Sequence, residues 1–174
     1  NKGAADGKSS ERVFQVHKAT GAKVSISPEP SFKYKARGPQ TLTDATLGSQ
    51  NHSDGCSLGF EGTNAEIVID LGSEMAVDKI ELAFIQNLKA WIMLPDSVAI
   101  SGSASGDSFQ PVAAIKIASE KPQDQVYRHA VSIPTKGTNV RFIKVNVKNG
   151  GPLPASHLYP GMPAWLFIDE VVVL

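Results

Sequence analysis

Cysteine is almost missing from this chain, since Cys56 is the only one in 174 residues. A single thiol excludes an internal disulfide framework and any cysteine-built zinc cluster, so burial and hydrogen bonding have to hold the fold. Excess charge is missing too. Lys and Arg number 17 and Asp and Glu 17, which removes the electrostatic footprint of a nucleic-acid binder and makes an anionic membrane a poor partner. No apolar run approaches the roughly 20 residues that span a bilayer, and no signal-like apolar segment opens the chain. No long 3.6-residue period appears anywhere, so helices are not expected to build the fold. The first residue is Asn1, and without an initiator methionine the chain reads as a fragment or a processed form.

What is present is a hydrophobic content of 41 %, enough for one domain with a substantial core. Residues 1–12 are small, polar and charged and read as a flexible lead or linker, leaving 13–174 for the folded module. Gly3 to Ser9 has the outline of a phosphate loop but is one residue short between Gly3 and Gly7, and no apolar strand precedes it. Beyond the lead, short β-rich runs cover 22–27, 65–71, 77–85, 97–101, 112–118, 127–133, 140–147 and 165–174. Turn clusters such as Gly72-Ser73, Lys121-Pro122 and Pro134 to Gly137 separate them. Short strands without intervening helices predict an all-β antiparallel sandwich, with a closed barrel as the alternative.

The last run holds two adjacent acids, Asp169 and Glu170, among apolar residues. By strand alternation Glu170 shares a face with Leu166, Ile168, Val172 and Leu174, and Asp169 with Trp165, Phe167, Val171 and Val173. One acid therefore points into apolar surroundings and needs a partner, a proton or a metal. Two stretches, Pro28 to Thr63 and Lys148 to Pro163, are too long and irregular for ordinary turns and are expected to carry function. In the first, Asp44 and Ser49 lie in a tightly turned segment. A hard cation such as calcium takes about 6–8 oxygen ligands, and this loop together with Glu170 offers such a set. An Asx-turn of Asp44 with its own backbone is the competing reading.

The blocks Leu42-Thr43-Asp44, Gly59-Phe60-Glu61-Gly62, Ile69-Asp70-Leu71-Gly72, Trp91-Ile92-Met93-Leu94-Pro95 and Pro160 through Glu170 resemble the discoidin-like (coagulation factor 5/8 type C) modules at the C-terminus of bacterial chitobiases and β-N-acetylhexosaminidases. The resemblance runs from about Gly21 to Leu174. It implies a galactose-binding-like jelly-roll, a structural calcium ion beside the sugar-binding end, and an extracytoplasmic bacterial setting. It also implies ion ligands from the side chains of Asp44, Ser49 and Glu170 and from backbone oxygens near Thr41 and Thr46. Two departures stand out. Ala45 replaces the glycine usual after the loop aspartate, and Cys56-Ser57-Leu58 lacks the aromatic residue usual before Gly59.

Sugar rings present apolar faces to aromatic side chains and hydroxyls to planar polar groups. His52, Gln86, Trp91, His157 and Tyr159 are the ligand candidates on that ground, set against solvated loop histidines and a Trp91 that merely closes the core. Trp165, Phe84, Phe142 and Phe167 read as interior residues. No pair of acids is spaced for glycoside hydrolysis, and His17, His52, His129 and His157 are scattered over separate segments, so the chain itself is not expected to be an enzyme. The expected function is a non-catalytic module that binds an N-acetylhexosamine- or galactose-containing glycan for a glycoside hydrolase on the same polypeptide. Purely structural packing on that catalytic domain is the alternative.

Overall fold

The computed structural model describes residues 12–117 and 125–174. The expected lead lies outside the described residues except for Arg12, whose guanidinium reaches Cys56 Sγ and the Asp54 carbonyl. The Lys121-Pro122 breaker lies outside them as well. Among the described residues nine strands are present: β1 (Val13–Phe14), β2 (Lys23–Ser27), β3 (Thr46–Leu47), β4 (Leu58–Glu61), β5 (Ala65–Gln86), β6 (Ser97–Ser103), β7 (Gln110–Lys116), β8 (Tyr127–Lys148) and β9 (Trp165–Val173). Short 3-10 turns at Phe32–Tyr34, Pro39–Leu42 and Leu88–Ala90 interrupt the loops, and no α-helix occurs among the described residues.

Two of the expected breakers do not break. Gly72-Ser73 and Pro134 to Gly137 fall inside β5 and β8, where they form a corner marked by register shifts between Asp70 and Met75 and between Val77 and Lys79. A strand that bends at bulges passes from one layer to the next while its ladder continues. The first part of β5 pairs with β2 and with the end of β8, and its second part pairs with the start of β8 and with β9. The hydrogen-bonded order is β4-β9-β5-β8-β6-β7, with β2 added on β5. Between the two layers lies one core, in which Ile67, Ile69, Val98, Ile143 and Val145 meet Ile80, Leu82, Phe84, Ile133, Leu166 and Ile168. Phe142 is a correction: it stands on the outer surface, half-buried, under the guanidinium of Arg141.

The alternation expected for β9 is also corrected. Leu82 lies opposite Val171 but Phe84 opposite Ile168, so three residues of β9 span two of β5 and one extra residue bulges out. The bulge falls at Asp169 and Glu170. Past it the parity flips, and Val171 and Val173 join Leu166 and Ile168 in the main core. Trp165 and Phe167 face the other way, into a second apolar cluster with Ile85 and Ile92, against which Tyr34 and Trp91 pack. Because both faces of β9 are covered, both acids are buried.

Candidate functional site

The second cluster lies where the long loops converge on the start of β9. The Leu88–Ala90 turn is closed by Asn87, whose backbone pairs with Ile92 and whose side-chain oxygen accepts from the Ala90 N–H. Trp91 then takes a left-handed backbone, φ 64°, unusual for a bulky side chain. Its conformation is held because its carbonyl accepts from the Trp165 N–H at 2.7 Å. The Lys148–Pro163 loop is tied at its base. The Asn149 side chain accepts from Gly151 N–H and donates to the Thr63 and Ala164 carbonyls. Leu153 and Met162 pair across the loop while Leu153 is buried beneath it. The outer half of this loop then presents His157, Leu158 and Tyr159.

Three of the five ligand candidates come together here. The rings of Trp91 and Tyr159 are 5.4 Å apart and those of His157 and Tyr159 6.2 Å. His157 Nε2 lies 3.0 Å from the Leu88 carbonyl, and its Nδ1 accepts from the Tyr159 N–H. The imidazole thus carries its proton on Nε2 and pins one loop to the other. Tyr159 is 51 % exposed and Leu158 81 %, so the ledge offers a ring face to solvent. Gln86 does not join it. Its amide is buried, accepts from the Tyr127 hydroxyl at 3.2 Å, and lines a small cleft of about 210 Å³ with Leu88, Met93 and Asp96.

His52 stands on the other side of the same cluster, edge-on to Tyr34 at 5.8 Å and to Phe167 at 5.5 Å. With Tyr34, Phe32, Lys33, Lys35 and Ser57 it lines an open cleft of about 460 Å³. Tyr34 in turn meets Trp165 at 5.1 Å, so one aromatic row links cleft and ledge. Gly59 makes this row possible, because a Cβ there would lie 2.8 Å from Tyr34 Cβ and 3.0 Å from Phe167 Cζ. Phe32 and Tyr34 were missed in the sequence, although Phe32-Lys33-Tyr34-Lys35 alternates rings and cations inside a long loop.

At the β9 bulge Glu170 Oε1 accepts from the Ala45 N–H at 2.8 Å and lies 2.7 Å from His17 Nε2. His17 Nδ1 accepts from the backbone N–H of Ala19 and Val173, so Nε2 is the protonated nitrogen and donates to the carboxylate. Glu170 and the Asp44 loop are therefore neighbours. Ala45 adopts the left-handed backbone, φ 63°, a conformation that glycine takes more readily. Asp44 accepts from the Thr46 N–H and from Arg37. Thr41 and Thr46 are buried beside it. Ser49 turns away, its hydroxyl donating to Asp54 at 2.7 Å. Glu170 Oε2 is buried without a hydrogen-bond partner, which fits a cation at this bend, though not one that also reaches Ser49.

Asp169, not singled out as a ligand from the sequence, is the other acid of the bulge. Its Oδ2 accepts from Arg128 Nε at 2.8 Å and from the Gly48 N–H at 3.1 Å, and its Oδ1 has no partner. Burial pushes its pKa up to about 6 against the opposing pull of Arg128. Two buried acids thus tie the loop before β4 to the last strand, one through each side of the bulge.

No protein-family model matches the sequence, and no curated protein matches it. Solved structures do. The chitosan-binding module 1 of a chitosanase/glucanase from Paenibacillus sp. IK-5 superposes with a TM-score of 0.55 at 16 % identity, covering 91 % of this chain and 98 % of that one. The chain shares the β-sandwich fold of that module. A fucose binding module of Streptococcus pneumoniae gives 0.54 at 17 % identity over 91 % and 94 % of the two chains. The C-terminal domain of a chitobiase from Bacteroides fragilis gives 0.52 at 16 %, over 94 % and 99 %. At these identities the likeness fixes the architecture, and it agrees with the discoidin-like sandwich expected from the sequence blocks.

Proposed function

We propose that this chain is a non-catalytic carbohydrate-binding module of a glycoside hydrolase and that its ligand is a glycan containing N-acetylhexosamine or galactose. The observation that carries the reading is the ledge of Trp91, His157 and Tyr159, in which a half-exposed ring is braced by a second ring and by a histidine bonded across two loops. A sugar's C–H face stacks on such a ring while its hydroxyls reach the polar loop edge. One shallow platform gives weak binding, which serves a tethered enzyme by raising its local concentration at the glycan. An extracytoplasmic bacterial setting belongs to the same reading, since polymeric glycans are met there.

NMR titration with N-acetylglucosamine, galactose and their oligomers is the test. Resonances of residues 88–92 and 156–160 are expected to shift, and Tyr159→Ala to abolish the shift while the fold is kept. Saturating sugar that moves neither loop would end this assignment. Calcium is part of the proposal, with Glu170, Asp44 and the backbone near Thr41 and Thr46 as its holders. There it would neutralise the unpaired oxygen of Glu170 and fix the bend. A second reading has its own support. Val13, Phe14 and Val16 expose their side chains along the β1 edge, an apolar strip suited to packing on a neighbouring catalytic domain.

A further inference from the structure

The cleft beside the ledge differs from it in charge. Lys33 and Lys35 stand on its rim, and neither makes an ion pair among the described residues, whereas Arg37 on the same loop is committed to Asp44. Among the described residues no carboxylate lines the cleft. Asp54, the nearest acid in sequence to its His52-Ser53 wall, is turned to the hydroxyl and N–H of Ser49 and to the N–H of Cys56. Phe32 is 80 % exposed at the mouth. Tyr34 and His52 form an edge-on pair along the wall. Ser57 lines the cleft with a small side chain whose hydroxyl is buried toward Gly48, so the wall there is low and adds no polar group of its own.

The volume of about 460 Å³ holds a monosaccharide unit. Two ammonium groups and an imidazole around aromatic walls match a sugar that bears an anion. A neutral sugar placed there could stack on the rings but would leave both ammonium groups without an anion. We propose that this cleft is a subsite for an acidic sugar residue, recognising a carboxylate or sulfate through Lys33 and Lys35 while the ring stacks on Phe32 or Tyr34. The proposal rests on the carbohydrate-binding reading for its ligand class but uses different residues, so the two can fail separately.

The test is calorimetric titration of the whole chain with trigalacturonate against its neutral methyl ester, and with N-acetylglucosamine 6-sulfate against N-acetylglucosamine. The two pairs distinguish carboxylate from sulfate. At least one anionic probe is expected to bind about fivefold or more tightly than its neutral counterpart, and to lose that advantage between low salt and 0.5 M salt, where screening lengths fall to a few Å. The K33Q/K35Q variant is expected to remove the same advantage and leave neutral binding at the ledge unchanged, while Tyr159→Ala removes neutral binding and keeps the difference between charged and neutral probes. Equal affinities within both pairs, an unaltered preference in K33Q/K35Q, or tighter binding of a short single-stranded oligonucleotide than of either anionic sugar would overturn the proposal.

Discussion

Replacing Gly59 by alanine tests whether the aromatic row is built by close approach. The added Cβ would lie 2.8 Å from Tyr34 Cβ and 3.0 Å from Phe167 Cζ, against a comfortable carbon–carbon separation of about 3.5–4.0 Å. Tyr34 Cβ is fixed to its backbone and cannot rotate away. Its segment is also held by the Ser31 N–H bonded to the Gly59 carbonyl at 2.8 Å. The strain must therefore move the Phe32–Tyr34 turn outward or push Phe167 into the second cluster. Overpacking of this kind costs about 1–3 kcal/mol, which for a chain of this size lowers Tm by about 2–12 °C. Gly59 does not have a left-handed backbone, so the penalty comes from contact alone. Urea unfolding followed by tryptophan fluorescence measures the cost, and the histidine ring resonances of His52 report the displaced turn. A G59A variant with an unchanged midpoint and an unmoved His52 signal would refute the packing argument.

Two further outcomes follow from the β9 bulge. Arg128→Met is expected to cost about 3 kcal/mol at pH 7.5, the low end of the usual loss when one partner of a buried ion pair is removed, because Asp169 can take up a proton instead of staying charged. Because the pKa of Asp169 is raised to about 6 from a reference of 3.8, the folded state holds its proton more tightly than the unfolded chain. The penalty on its ionised form is absent below about pH 4, grows through pH 6 and is complete above it. The R128M loss should accordingly shrink to about 1 kcal/mol at pH 5, and an equal loss in urea melts at both pH values would contradict this account. For the cation proposed at Glu170, calcium at about a hundred times its Kd should stabilise the fold by about 2.7 kcal/mol, a rise of about 5–11 °C over chelator-treated protein. Identical melting curves would leave His17 and the Ala45 N–H as the partners that hold Glu170.

The sequence made the sandwich legible because strand periodicity is local, and Ala65–Leu71 and Val140–Val147 show it as short β-rich runs. It misplaced the corners because glycine and proline mark a bend without saying whether hydrogen bonding stops there. Gly72 and Pro134 turn strands that continue. The buried acids of β9 were visible as an anomaly, but their faces were not, since one bulged residue inverts every side chain beyond it. Glu170 does lie beside the Asp44 loop, accepting from the Ala45 N–H, yet His17 was passed over as one of several scattered histidines. Its pairing spans 153 positions, a separation that no spacing rule records. Of the ligand candidates chosen by residue chemistry, Trp91, His157 and Tyr159 lie together in the fold. Gln86 lies apart from them, because a strand residue beside a loop can turn inward as easily as out.

The continuity of β5 and β8 bears on how the module comes apart. Each of these strands belongs to both layers, so no seam exists along which one sheet could peel from the other while the remainder stayed intact. Separating the halves means unzipping the same ladder on either side of its corner. Amide hydrogens near Ile67 and near Leu82 should thus exchange with solvent at similar, slow rates, as a single opening event rather than two. A glycan pulling on the loops would load a body that yields all at once or not at all.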